Sequence, residues 1–233
     1  MKVKSLIFVL SASLASSAFL SGCVPLMIGG AVGTTAFVTT DRRSTGTQMA
    51  DNVMEQRINF EISQAIKTGL HLNVTCYNGR VLLTGEVANE QDKQIAQKIA
   101  QRSLEVRAVI NELHVGPELS LGQRMSDSTL ASKVRSYLVG TKNISLNQMK
   151  VTVENGTVYL MGLVTAQEAQ TAANVASRVS GVKSVVKVFE VISEQEVERR
   201  LSLLNQQNTQ QLKEEPLTTN NLMDSSSTEV RLQ

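Results

Sequence analysis

Asn78-Gly79-Arg80-Val81-Leu82-Leu83-Thr84-Gly85-Glu86-Val87 recurs 77 residues later as Asn155-Gly156-Thr157-Val158-Tyr159-Leu160-Met161-Gly162-Leu163-Val164. A second pair, Val106-Arg107-Ala108-Val109 and Val182-Lys183-Ser184-Val185, recurs at an offset of 76. Two copies of this length make two small modules, not a solenoid. An Asn-Gly pair between alternating apolar runs is the strongest short hairpin signal, because a type I′ turn needs positive φ at both central residues. The two-residue turn fixes which residues share a face. Val74, Cys76, Val81, Leu83, Gly85 and Val87 point inward in copy one. Val151, Val153, Val158, Leu160, Gly162 and Val164 do so in copy two. Gly85 and Gly162 are expected to admit the backbone of a covering helix.

Helices flank each hairpin. Ile58, Ile62 and Ile66 mark a helix before the first, and Leu130, Val134, Tyr137 and Leu138 one before the second. After the hairpins come stripes of Ile95, Ile99 and Leu104, then Ala172, Val175, Ala176 and Val179. Thr165-Ala166-Gln167-Glu168 is a capping box, and Asn89 with Asp92 a weaker analogue. Each copy therefore reads αββαβ. The fold class is α+β, with each three-stranded mixed sheet covered on one face by two helices. The outward face of copy two, with Tyr159, Met161 and Leu163, is apolar enough to need a partner. The sheet of the other copy is the nearest candidate.

The two ends of the chain say where the modules work. Lys2 and Lys4, an apolar stretch from Leu6 to Leu20, and then Leu20-Ser21-Gly22-Cys23 describe a secretory leader. The stretch is too short to span a bilayer, which takes about 20 apolar residues. The cysteine directly after the small residues marks a bacterial lipobox. Cys23 is then the lipidation site and the first mature residue, anchored by acyl chains. Val24 in place of Asp points, by the lipoprotein sorting rule, to the outer membrane with the modules facing the periplasm. The boundaries read as leader 1–22, lipidated tether 23–47, first module 48–116, linker 117–125, second module 126–193 and a tail 194–233. Val197, Leu201 and Leu204 give that tail a short helix, and the Ser/Thr/Asn-rich stretch from Pro216 onward reads as disordered. Cys76 has no partner cysteine and reads as a small buried hydrophobe.

Charge separates the halves. Residues 51–115 carry a net −1, residues 124–193 a net +4 and residues 194–233 a net −3. Between Arg124 and Lys150, Arg124, Lys133, Arg135, Lys142 and Lys150 stand against Asp127 alone. Such a segment is either a solvated basic face or a contact for an anionic leaflet, and the lipid tether favours the second. The compartment excludes nucleic acid. His71 and His114 flank strands without H-x-x-x-H, C-x-x-C or G-x-S-x-G spacing, and the acids are scattered. No catalytic residue, cofactor or metal site is read from these patterns.

The N-G-x-V-x-L-x-G-x-V block, the Ala-rich helix and Gly181-Val182-Lys183-Ser184-Val185-Val186 resemble the BON domain. Two copies behind a lipobox resemble the dual-BON outer-membrane lipoproteins, from Asp41-Arg42-Arg43 to Ile192. That resemblance implies a non-enzymatic role in envelope integrity, concentrated at division sites, with envelope-assembly or division proteins as partners. It also implies that anionic phospholipid of the outer membrane binds the first helix of the second module, Ser128 to Val139. Leu130 is then the inserting apolar residue, with Arg124, Lys133, Arg135 and Lys142 around it. The alternative is a periplasmic interaction module that binds an envelope protein or peptidoglycan.

Overall fold

Both Asn-Gly pairs adopt the backbone that the hairpins require. In a computed structural model, which describes residues 41–214, Asn78 and Gly79 have φ of 52° and 73°, and Asn155 and Gly156 have 48° and 76°. The turns join β1 (Leu70–Tyr77) to β2 (Arg80–Val87) and β5 (Met149–Glu154) to β6 (Thr157–Val164). Each hairpin is antiparallel, with Cys76 opposite Val81 and Val153 opposite Val158. The returning third strand is broken in both copies. β3 (Ala108–Asn111) and β4 (His114–Val115) both lie parallel to β2, and β7 (Ser184–Lys187) and β8 (Glu190–Val191) both lie parallel to β6. The fold is α+β, as the sequence pattern requires. The leader, Cys23, the tether up to residue 40 and the stretch from Pro216 lie outside the described residues.

Helices cover one face of each sheet. α1 (Thr45–Ala65) and α2 (Glu90–Arg102) enclose a core with Val74, Cys76, Val81, Leu83 and Val87. α3 (Leu121–Val139) and α4 (Ala166–Ser177) do the same for Val151, Val153, Val158, Leu160 and Val164. The capping box at Thr165 and Glu168 is formed in both directions. Two stripe members depart from expectation. Leu104 lies beyond the end of α2 and is exposed, and Tyr137 is exposed beside the buried Leu138. α3 is also longer than the sequence suggests. Ser120 caps it by accepting from Gln123 N, so five residues assigned to the linker are helical. α5 (Glu194–Glu214) buries Val197 and Leu201.

The glycine expectation needs correcting in its partner. A Cβ on Gly162 would sit 2.3 Å from the Gln148 carbonyl oxygen and 2.9 Å from Met149 Cα. On Gly85 it would sit 2.1 Å from the His71 carbonyl oxygen, and Gly85 has a φ of +112°. The close approach is therefore to the paired edge strand, not to a helix. The sequence pattern identifies a crowded inward position, but not which backbone does the crowding.

The outward faces of the two sheets pack on each other. Tyr77 and Leu82 from the first module and Tyr159, Met161, Leu163 and Val188 from the second form one buried cluster. Beside it, Thr75 Oγ1 lies 3.3 Å from Thr152 Oγ1. These threonines are 77 residues apart, which is the repeat offset, so each faces its own counterpart. The layers run helix, sheet, sheet, helix. A strap from the N-terminal side fastens them. Arg42 pairs with Glu168 at 2.7 Å and donates to the Leu163 carbonyl. Arg43 stacks 3.7 Å over the Tyr77 ring and pairs with Asp51.

Candidate functional site

α3 is the element to which charge and resemblance both direct attention. Its inner side, with Asp127, Leu130, Ala131, Val134 and Leu138, is buried. Leu130 is only 8% exposed and belongs to the core of the second module. This overturns its assignment as the inserting residue. Leu130, Val134 and Leu138 recur at every fourth position, which places them on one stripe facing the sheet.

The apolar residues that do face solvent are Leu121, Met125 and Val139, exposed by 73%, 64% and 66%. Leu121 and Val139 are about five helical turns apart, and Met125 follows Leu121 by about one, so all three fall along one line of the helix. Sequence reading missed the first two because it began the helix at Ser128. The capping serine at Ser120 was the available signal.

The basic residues distribute along both flanks of this line. Arg124 pairs with Glu118 at 2.8 Å. Arg135 is exposed and its Nη2 donates to the Val151 carbonyl at 2.6 Å. Both line one cleft of about 370 Å³, shared with Ser128 and Ser132. Lys133 lines the opposite cleft, of about 480 Å³, together with Lys183, Gln123 and Gly181. Lys183 was not singled out from the sequence. Lys142 is exposed past the end of α3, beside Thr165 and Glu168, and does not join either group. Lys150 turns away altogether and pairs with Glu55 of the first module.

The one acid of the segment does not dilute this charge at the surface. Asp127 is buried, and its two carboxylate oxygens accept from Asn155 N and Gly156 N, each at 2.9 Å. Asp51 does the same for Asn78 N and Gly79 N in the first module. In both modules an aspartate on the first helix ties down the hairpin turn, satisfying amides that would otherwise be orphaned. Aligning the copies reveals this pair from sequence, since Asp51 and Asp127 keep the repeat offset to within one residue. Cys76 is fully buried, and burial pushes its thiol up to about 12. That leaves it a packing residue, as expected. Cys23 lies outside the described residues.

The histidines separate in space. His114 is exposed on β4. His71 Nδ1 contacts Glu86 Oε2 at 3.0 Å, and Glu154 of the second module lies beside them. Among the described residues no helix is long and apolar enough to cross a membrane.

The BON domain family model matches residues 50–117 and again 126–193. The outer membrane lipoprotein DolP of Haemophilus influenzae is 40% identical over 181 residues, covering 77% of this chain and 93% of that one. A 21 kDa hemolysin of Actinobacillus pleuropneumoniae is 34% identical over 154 residues, covering 65% of this chain and 79% of that one. Among solved structures, CdsD, a structural protein of the type III secretion system of Chlamydia trachomatis, aligns with a TM-score of 0.26 and 15% identity. That alignment covers 65% of this chain and 96% of that one, and its score is too low to bear on fold or function. Two family matches that fall on the two repeat copies, and the DolP lipoprotein aligned over nearly its whole length, give one answer: the chain belongs to the BON domain family, as a dual-BON protein of the DolP type.

Proposed function

We propose that this chain is a non-enzymatic outer-membrane lipoprotein, anchored through Cys23, whose second module contacts anionic phospholipid and so supports envelope integrity, including at division sites. The observation that carries the reading is the solvent face of α3. Leu121, Met125 and Val139 form an exposed apolar line there, with Arg124 and Arg135 on one flank and Lys133 on the other. An amphipathic helix with basic flanks lies in the interfacial plane of a bilayer, with its apolar residues below the headgroups. Each basic residue near an anionic leaflet contributes about 1 kcal/mol. The similarity to an outer-membrane lipoprotein and the lipobox support a lipid tether, and such a tether would hold the helix near the leaflet and make a modest affinity sufficient.

The test is sedimentation of a leaderless Cys23→Ser chain with phosphatidylglycerol vesicles and with neutral vesicles. Binding is expected to the anionic vesicles only, to weaken with salt, and to fall about tenfold or more in Met125→Asp and in Lys133→Glu with Arg135→Glu. If both variants bind as wild type does, the proposal fails. A second reading, a module for an envelope protein or peptidoglycan, draws on another surface. Met49, Val53 and Phe60 form an exposed apolar line on α1, which also carries half-buried Glu55, Arg57 and Glu61.

A further inference from the structure

Folding gathers three donors that sequence spacing keeps apart. His71 on β1 stands opposite Glu86 on β2, and Glu154 ends β5 in the other module. One ring nitrogen of His71 and one carboxylate oxygen from each glutamate lie within 4.8 Å of one another. Neighbours hold the carboxylates in place. Leu119 N donates to Glu86 Oε2 at 3.3 Å, and Asn73 Nδ2 and Thr84 Oγ1 reach Glu154 Oε1 at 3.4 and 3.5 Å. The charge of the cluster is out of balance. Glu86 is buried, and among the described residues no Lys or Arg forms an ion pair with Glu86 or Glu154. A buried carboxylate without an ion-paired Lys or Arg is costly; Arg124 and Arg135 line the cleft that His71 and Glu154 border, and neither forms an ion pair with Glu86 or Glu154.

We propose that His71, Glu86 and Glu154 form a divalent-cation site between the two modules, with zinc as the preferred ion. One imidazole with two carboxylates is a donor set for a borderline ion, whereas magnesium and calcium favour all-oxygen cages. Ligand atoms on a tetrahedral zinc lie about 3.4 Å apart. The donor atoms, now within 4.8 Å of one another, must therefore close by up to about 1.4 Å, through side-chain rotation of the half-buried Glu154 and His71. Three protein ligands leave one coordination position for water, and the cleft of about 370 Å³ lined by His71, Asn73 and Glu154 provides the room. Asn73 and Thr84 orient the ligating carboxylate, as outer-shell donors do in metal sites. His71 and Glu86 belong to one module and Glu154 to the other, so an occupied site staples the two sheets together. The inference is independent of phospholipid contact.

The full chain, stripped with EDTA, is titrated with zinc chloride against a chromophoric chelator. One site per chain is expected. Its affinity should fall at least tenfold in Glu154→Gln and in His71→Ala, and hold within about twofold in His114→Ala. Magnesium at the same concentration should not compete. Zinc should also slow amide exchange across β1 and β5 in wild type, but not in Glu154→Gln. Melting curves in EDTA show whether each variant is folded, and His71→Gln replaces any that is not. Absence of zinc binding, equal binding by wild type and Glu154→Gln, or loss of binding in His114→Ala overturns the assignment.

Discussion

Gly85 and Gly162 occupy equivalent positions in the repeat, and alanine at each should harm its module by different amounts. At Gly162 the added Cβ would stand 2.3 Å from the Gln148 carbonyl oxygen, where ordinary contact begins at 3.4 Å. Both nearest obstacles, that oxygen and Met149 Cα, are backbone, so the edge strand β5 must move by about 1 Å. Overpacking a well-packed site costs about 1–3 kcal/mol, and a backbone obstacle puts Gly162→Ala at the upper end. At Gly85 the contact is closer, 2.1 Å to the His71 carbonyl oxygen, and φ is +112°. Holding an L side chain in that sparsely populated region adds about 1–3 kcal/mol. Gly85→Ala should therefore cost about 3 kcal/mol or more, a large fraction of the roughly 5–15 kcal/mol that holds a domain folded. Urea denaturation of the full chain, followed by far-ultraviolet circular dichroism, measures both. A loss below about 0.5 kcal/mol for Gly162→Ala would refute the crowding argument. If Gly85→Ala proved no worse than Gly162→Ala, the backbone-strain argument would fall while the crowding stood.

Two further outcomes are expected. Burial moves the Cys76 thiol from 9.0 to about 12, so above pH 9 the unfolded chain releases a proton that the folded chain keeps. Stability should decline as pH rises from 9, by up to about 1.4 kcal/mol per unit from this group. Urea midpoints between pH 8 and 10 should fall more steeply in wild type than in Cys76→Ala, and equal slopes would show the thiol to be accessible. Arg42→Ala breaks a pair in which Arg42 is 4% exposed and should cost about 3 kcal/mol by thermal melting. Glu168 is held below the ordinary 4.5 by Arg42 and by Thr165 against the opposing effect of burial. Its stabilisation is present above pH 4.5 and disappears as pH falls through the lowered value. The acid limb of the stability profile should therefore flatten in Arg42→Ala.

The strand faces were legible because period-two alternation and the two-residue turn jointly fix register, and a slip by one would have exposed every core valine. The pairing of the sheets was legible for a similar reason, since Tyr159, Met161 and Leu163 could not all stay in water. What escaped the sequence was set by tertiary contact. Leu130 and Met125 are both apolar residues on α3, and only the direction of the sheet decides that the first is core and the second is surface. Asp127 reads as one acid diluting a basic run until its carboxylate is seen holding two turn amides. His71 and Glu154 are 83 residues apart, and no local spacing could have joined them.

The contact of Thr75 with Thr152 has a consequence for how this chain can assemble. A residue that meets its own counterpart lies next to an approximate two-fold axis, so the paired sheets are arranged like the halves of an isologous dimer. Each half carries a surface shaped for something very like itself. The second module alone, with Tyr159, Met161 and Leu163 uncovered, has the ingredients for pairing with another copy of itself. In the intact chain the connection at residues 116–120 keeps the two halves at an effective concentration on the millimolar scale, and that pairing is suppressed. The same connection is where two chains at high concentration could trade halves, pairing without creating any new interface.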